Sequence, residues 1–189
     1  MNLFNEFYSE DETIEFIKNS TPTENGDLKL YKAKEDAGWV NLYFKYNEGE
    51  FRVLITLATS DLSDIVSFFE NIINLTEEAA VFLDNELIST PLLYVSPIDN
   101  KKIRFLVADE ERINTLFEED KINEEDLKGI FDYDIRCDVI VEKKKLLKEF
   151  YRAIKNIINN FEAYPEHIYD INYTHWKDKF KNILKYIKN

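Results

Sequence analysis

Short turns separate most of the apolar, strand-length segments of this chain, and these turns limit how the strands can pair. Residues 39–46 alternate between apolar and polar side chains, a turn at residues 47–50 follows, and residues 51–58 return as an apolar strand. The turn at residues 97–100 joins a second pair of strands in the same way. Parallel neighbours need a crossover of about a dozen residues or more. The sequence therefore predicts hairpins and a largely antiparallel sheet.

Apolar periodicity predicts seven strands and four longer helices. The predicted strands are residues 28–32, 39–46, 51–58, 79–84, 91–96, 102–108 and 133–142. Helical spacing and capping residues predict helices after Ser9, over residues 61–74, over residues 143–161 and after Thr174. The predicted fold class is α+β: a largely antiparallel sheet of six or seven strands, helices packed mainly on one face, and helical N- and C-terminal segments.

The length of 189 residues fits one domain over residues 1–189. We place the N-terminal helix and first strand in residues 1–37, the core in 38–161 and a C-terminal helical extension in 162–189. A domain of this size buries roughly 70% of the surface that its unfolded chain exposes, so it needs no metal or disulfide to fold.

The single cysteine, Cys137, excludes an intramolecular disulfide and a cysteine-based zinc site. It shares one face of a predicted strand with Ile135 and Val139, so we expect a buried small side chain rather than a reactive thiol. The first residues lack the basic cluster and apolar stretch of a signal peptide. The longest apolar runs fall far short of the ~20 residues of a membrane span. We therefore expect a cytoplasmic protein that does not contact membranes.

Acidic residues dominate the charge of the chain, with 37 acids against 24 bases and a net charge of −13. Nucleic-acid binding depends on Lys and Arg that neutralise phosphates, so this balance makes direct nucleic-acid binding unfavourable and favours a basic protein partner. The charge is uneven, since residues 143–189 carry 11 bases and 5 acids. Residues 109–134 hold 11 acids against three bases and form the densest acidic stretch.

Two interpretations of this acidic stretch are open. It is either a charged loop that stays in water because charge is costly to bury, or a docking surface that speeds the capture of a basic protein. The candidate partner-binding residues are acidic side chains of this stretch: Glu110, Glu111, Glu118, Glu119, Asp120, Glu124, Glu125 and Asp126.

Catalytic and cofactor motifs are missing from the sequence. There is no phosphate-binding glycine loop, no G-x-S-x-G and no H-E-x-x-H, and only four glycines are present. The two histidines, His167 and His175, are too far apart to share adjacent helical turns. Asp132 with Asp134, and likewise Asp84 with Glu86, have the spacing that puts two carboxylates on one strand face, where they either bind a cation or form a solvated acidic edge. We predict no catalytic residue, metal or cofactor.

The long C-terminal helix carries lysines on its polar side, including Lys144, Lys145 and Lys148. Amphipathic helices normally place lysines outward, and no aromatic residues are interleaved with these, as a nucleic-acid groove requires. This helix therefore gives no support for a nucleic-acid site.

The order of elements resembles a known kind of protein. A Trp-bearing strand at residues 38–42 precedes a helix that opens at residues 60–64 and ends at residues 68–72; later, a strand at residues 138–141 runs into a helix containing residues 150–154. This layout resembles small acidic bacterial immunity proteins of polymorphic or contact-dependent toxin systems, over the core segment defined above. The resemblance implies a non-enzymatic inhibitor of one cognate toxin. Its motifs are structural, so it assigns no binding residue.

We therefore expect a cytoplasmic immunity-type protein that sequesters a basic toxin or nuclease-like domain through its acidic stretch. A phage- or plasmid-encoded inhibitor of a nucleic-acid-handling defence enzyme would use the same acidity on a different target. A carboxylate-dependent metalloenzyme using Asp132 and Asp134, or an oligomeric scaffold, are further alternatives.

Overall fold

Two antiparallel sheets form the framework of the computed structural model. The structure describes residues 19–24, 26–36, 39–56, 61–83, 91–110, 133–160 and 173–189. The three-stranded sheet has the order β1 (Leu28–Asp36), β2 (Trp39–Tyr46), β3 (Gly49–Thr56). The four-stranded sheet has the order β4 (Ala79–Phe82), β5 (Leu92–Pro97), β6 (Lys102–Glu110), β7 (Tyr133–Glu142). The described helices are α1 (Asp61–Asn71), extended by a 3-10 turn at Ile72–Asn74, α2 (Lys143–Asn160) and α3 (Tyr173–Lys188).

The two predicted hairpins are confirmed. Tyr46 of β2 pairs with Gly49 of β3, and Asn47 between them has a φ of 53°, a left-handed conformation that asparagine tolerates better than most residues. In the β5–β6 turn, the Asp99 carboxylate accepts the backbone N–H groups of Lys101 and Lys102 at 2.6 and 2.7 Å. Both turns are fixed by local chemistry, which is why the sequence reveals them.

The α+β class is confirmed, but the prediction of one sheet with six or seven strands is wrong. In the described part of the chain, β3 pairs only with β2 and β4 pairs only with β5. Between β3 and β4 the chain passes through α1, and β4 then starts a second sheet. Apolar alternation shows which face of a strand is buried, but it does not show which strands are neighbours. The helix predicted after Ser9 lies outside the described residues, whereas a helix, α3, is present where one was predicted after Thr174.

The inner faces of both sheets and the apolar sides of all three described helices share one core. Phe69 of α1 stacks on Phe150 of α2, with ring centroids 3.8 Å apart and planes inclined by 10°. Phe69 also contacts Phe105 of β6 at 6.3 Å, and Phe105 contacts Phe44 of β2 at 6.2 Å. This chain of four rings, which we call the aromatic column, joins both sheets to α1 and α2. All four side chains are fully buried.

α3 packs on the rest of the domain. Its Phe180 stacks on Tyr151 of α2, with ring centroids 4.5 Å apart, and Ile183 is fully buried in the core. The ammonium group of Lys179 donates to the Ser67 hydroxyl of α1 at 2.6 Å. None of the described helices is long and apolar enough to cross a membrane.

The segment before β1 runs along the edge of the four-stranded sheet. Thr23 forms a parallel bridge with Val139 of β7, and its N–H donates to the Asp138 carbonyl at 2.8 Å. Gly26 then passes between the sheets, where an added Cβ would lie 2.6 Å from the Val139 side chain and 2.8 Å from the Tyr46 ring. Such a close approach of backbone to side chains on both sides requires glycine.

α2 covers the edge of the three-stranded sheet at β1. The backbone N–H of Leu30 donates to the Glu149 carboxylate at 3.0 Å, which gives an edge-strand donor a partner. Burial raises the pKa of Glu149, and the nearby Asp27 carboxylate raises it further. The Leu30 hydrogen bond and the charges of Lys145 and Lys29 lower this pKa and so offset part of the rise.

We expect Phe69→Ala to lower the free energy of unfolding by about 3–5 kcal/mol, because it removes the ring that contacts both Phe150 and Phe105 and leaves a cavity. Urea unfolding followed by circular dichroism measures this. Ile98→Ala, at a half-exposed site, is the control and should change stability by less than about 0.5 kcal/mol. A comparable loss in both variants would contradict the central role of the aromatic column.

We expect Glu149→Gln to raise the melting temperature at neutral pH relative to the natural protein. A glutamate whose pKa is raised in the folded state binds its proton more tightly there, so its ionisation opposes folding as pH rises through the folded pKa. Glutamine stays neutral and its carbonyl oxygen can still accept from Leu30.

The advantage of Glu149→Gln should disappear below the ordinary glutamate pKa of about 4.3, where the natural side chain is protonated in both states. Glu142→Gln, at an exposed position of β7, removes the same charge and is the control for net-charge effects. A gain that persists unchanged at acidic pH, or that equals the gain of the control, would show that Glu149 ionisation is not its cause.

Candidate protein-interaction site

The acidic stretch is anchored at both ends in paired strands. β6 ends at Glu110, β7 begins at Tyr133, and these two residues are directly paired. Residues 111–132 therefore leave and re-enter the four-stranded sheet at the same end, between two neighbouring strands. The strand pairing thus places both ends of the most acidic segment of the chain at one end of the four-stranded sheet.

Most of the predicted partner-binding residues lie outside the described residues. The backbone of Glu110 closes β6 and pairs with Tyr133, but its side chain is not described. The others all fall within residues 111–132: Glu111, Glu118, Glu119, Asp120, Glu124, Glu125 and Asp126. Their assignment as a binding surface stays a prediction.

At the base of this connection, one arginine bridges two aspartates. Asp109 of β6 is paired in register with Asp134 of β7, a like-charged pair that is unfavourable alone. Arg136 Nη1 lies 2.8 Å from Asp134 Oδ2, and its Nη2 lies 3.9 Å from Asp109 Oδ2. Arg136 is the extra residue of a β-bulge, because Val107 pairs with Cys137 while Ala108 pairs with Ile135. Bulges re-aim side chains, and this one brings a cation to the acidic end of the sheet.

A buried ion pair lies farther along the same two strands. Arg104 Nε and Nη2 donate to the two carboxylate oxygens of Asp138 at 2.8 and 2.7 Å, and both residues are less than a tenth exposed. The Ser20 hydroxyl donates to Asp138 at 2.6 Å, and Arg104 Nη2 contacts both oxygens of Ser20. The hydrogen bond to Asp138 raises the pKa of Arg104. This network ties the segment before β1 to the four-stranded sheet.

The outer face of the four-stranded sheet continues this network. Arg104 lies 5.9 Å from the centroid of the Tyr94 ring, and the Tyr94 hydroxyl donates to Glu78 at 2.9 Å. Burial and the Glu78 hydrogen bond raise the pKa of Tyr94. Leu106 and Ala108 complete an apolar patch on the same face. The polar groups of this face thus have specific structural partners.

Sequence reasoning missed Arg104, Asp138 and Arg136. A signal for the first was present, because Arg104 alternates with Leu106 and Ala108 on a strand whose other face is also apolar. An arginine on a doubly apolar strand is buried and needs an acid. The identity of that acid depends on the β6–β7 register, which the sequence does not state.

The prediction that Cys137 is a buried small side chain is confirmed. It is 1% exposed, and burial raises the pKa of its thiol to about 12, so the reactive thiolate is suppressed. The described part of the chain contains no group of three or more His, Cys, Asp or Glu residues arranged to hold a metal ion. Asp134 is paired with Arg136, whereas Asp132 lies outside the described residues.

The other residues weighed as metal ligands are not described. Asp84, Glu86 and His167 fall in segments outside the described residues, and His175 lies in α3 with its side chain undescribed. Comparisons with protein-family models, with curated proteins and with solved structures find no match.

We expect Asp138→Ala to destabilise the fold by about 3–5 kcal/mol, because it removes a carboxylate that binds the buried Arg104 guanidinium through two hydrogen bonds. The double variant Arg104→Met, Asp138→Leu removes both charges and should recover most of that loss. Arg136→Ala, which breaks the more exposed pair with Asp134, should cost less than about 1 kcal/mol. Urea unfolding of the three variants measures these differences, and an Asp138→Ala loss no larger than that of Arg136→Ala would contradict the analysis.

Proposed function

We propose that this protein is a non-enzymatic binding protein of the immunity type, which sequesters one basic protein partner, such as a toxin or nuclease-like domain. The contact surface is the segment of residues 111–132 between β6 and β7, which we call the acidic connection. The observation that carries the proposal is the pairing of Glu110 with Tyr133, which places both ends of the acidic segment, residues 111–132, at one end of the four-stranded sheet.

Concentrated charge suits the capture of a basic target. A nuclease that binds phosphates presents a positively charged cleft, and opposite charges steer two proteins together before they touch. Such steering raises association rates by about 10- to 1,000-fold. Speed matters for an inhibitor that must occupy its target before the target acts, so an electrostatic association step fits this function.

The base of the connection supports the same function. Asp109 and Asp134 lie side by side on a paired, rigid part of the sheet, with Arg136 holding them. A surface whose supports are already ordered loses less conformational freedom on binding, which leaves more of the interaction energy for affinity. Asp134 is 59% exposed and can therefore contribute to the same field.

The test begins with affinity capture from the host lysate and identification of the partner by mass spectrometry. Association kinetics with that partner are then measured over a range of salt concentrations. We expect the triple variant Glu118→Lys, Glu119→Lys, Asp120→Lys to lower the association rate about tenfold or more and to weaken its salt dependence.

The matched control reverses three exposed acids elsewhere, as Glu48→Lys, Glu77→Lys, Glu142→Lys, and so changes the net charge by the same amount. Its association rate should stay within about threefold of that of the natural protein, since distant charges are screened over a Debye length of about 8 Å. Equal effects of the two triple variants, or no effect of the first, would rule out the acidic connection as the contact surface.

A further inference from the structure

The three-stranded sheet carries a second candidate surface on the side that faces away from the core. Leu30, Phe44 and Val53 point into the core, so the alternate positions of their strands face away from it. In the two rows of paired residues nearest the β2–β3 turn, the outward positions carry basic and aromatic residues, which we call the basic face: Lys29, Tyr31, Lys32, Tyr43, Lys45 and Arg52, with Glu50 as the one acid. Lys34 and Asp36 lie in the rows beyond.

The two tyrosines of the basic face lie side by side with lysines over them. The ring centroids of Tyr31 and Tyr43 are 6.3 Å apart, and the planes are inclined by 51°. Lys45 Nζ lies 5.0 Å from the Tyr31 centroid, and Lys32 Nζ lies 5.5 Å from the Tyr43 centroid. Tyr31 is one of the two most exposed large hydrophobic side chains in the described part, at 36%.

The backbone brings these groups together through an irregularity in β1. The register of the β1–β2 pair shifts between Leu30 and Lys32, so Tyr31 is an extra residue without a partner on β2. This bulge brings Tyr31 within ring contact of Tyr43, across the strand pair. The result is alternating aromatic and basic side chains on neighbouring strands, although neither strand shows that pattern alone.

The charges of the basic face are not balanced within the face. Four bases stand against Glu50. Lys29 is directly opposite Lys45. Glu50 is opposite Lys45 on β3 and Glu149 of α2 lies near Lys29, and these two acids offset only part of the positive charge. In a chain with a net charge of −13, this accumulation of cations marks a place for a negatively charged ligand.

We propose that the basic face binds single-stranded nucleic acid, with its phosphates on the lysines and its bases on the two tyrosine rings. Single-strand binding surfaces combine a basic track for the backbone with aromatic rings on which bases stack. An acidic peptide would use the cations but has no flat rings to match Tyr31 and Tyr43. Duplex DNA hides its bases within the helix and would likewise leave the rings unused.

The overall negative charge does not prevent this binding at physiological ionic strength. Charges farther away than a Debye length of about 8 Å are largely screened, so the local balance of the basic face governs contact. The acidic connection leaves the end of the other sheet, at β6 and β7. The proposed nucleic-acid binding uses none of the residues assigned to partner capture.

The experiment is fluorescence anisotropy of the full-length protein with labelled oligothymidylate and oligouridylate of about 12 nucleotides, which is within the usual site size. We expect binding that weakens with salt, with a log–log slope of about −0.7 for each phosphate contacted. Tyr31→Ala and Tyr43→Ala should each weaken binding about tenfold, whereas Tyr31→Phe and Tyr43→Phe keep the ring and should bind as the natural protein does.

The charge test does not depend on the tyrosine variants remaining folded. Lys32→Glu with Lys45→Glu changes two exposed residues of the basic face, and Lys185→Glu with Lys188→Glu makes the same charge change on exposed positions of α3. We expect the first pair to abolish measurable binding and the second to leave it within about threefold, because α3 packs mainly on α1 and α2 and not on the three-stranded sheet. Circular dichroism confirms the fold of each variant.

Three results would overturn the proposal. These are no binding of either oligonucleotide at low ionic strength, equal losses for the two lysine pairs, or tighter binding of an oligoglutamate peptide than of both oligonucleotides. Preference for oligouridylate over both oligothymidylate and oligodeoxyuridylate would support the proposal and identify RNA as the ligand, since oligouridylate and oligodeoxyuridylate differ only in the 2′-hydroxyl. None of these variants alters the acidic connection, so a failure here is separate from a failure of partner capture.

Discussion

The aromatic column holds together a fold whose two sheets share no strand pairing among the described residues. Phe44 belongs to one sheet and Phe105 to the other, while Phe69 and Phe150 bring in α1 and α2. Within one sheet, backbone hydrogen bonds hold the strands together. Between these two sheets, the burial of large aromatic side chains and the contacts between their rings provide the stabilising energy. The positions of both candidate surfaces depend on this junction, because each surface belongs to a different sheet.

Because the inner faces of both sheets form the core, a ligand or partner can reach the sheets only at their outer faces, edges and ends. The three-stranded sheet keeps one outward face, and its β1 edge is covered by α2 through the Leu30–Glu149 hydrogen bond. On the four-stranded sheet, the outer face is itself apolar and is braced by Arg104 and Asp138. The acidic connection begins at the end of this sheet where Glu110 of β6 pairs with Tyr133 of β7. The ends of the acidic connection and the basic face therefore belong to different sheets.

The sequence predicted the local features of the fold and missed the non-local ones. The hairpin turn at Asn47, the buried stripe of α1 and the burial of Cys137 are encoded by neighbouring residues, so periodicity and turn chemistry reveal them. The division into two sheets depends on which distant strands pair. The Arg104–Asp138 pair joins residues 34 positions apart and was missed for the same reason. The acidic stretch was found from composition, but only strand register shows that both its ends meet.

The two β-bulges explain why neither surface could be assembled from the sequence. A regular strand alternates its side chains between two faces, and an extra residue breaks that rule at one point. In β1 the extra residue is Tyr31, whose ring then contacts Tyr43; in β7 it is Arg136, which then reaches Asp134 and Asp109. Bulges cost regular pairing and bend a strand, so they persist where the redirected side chain contributes something in return. Here each redirected residue lies at one of the two candidate surfaces, the basic face or the base of the acidic connection, which connects the irregularities of the backbone to the surfaces through which this protein is proposed to bind.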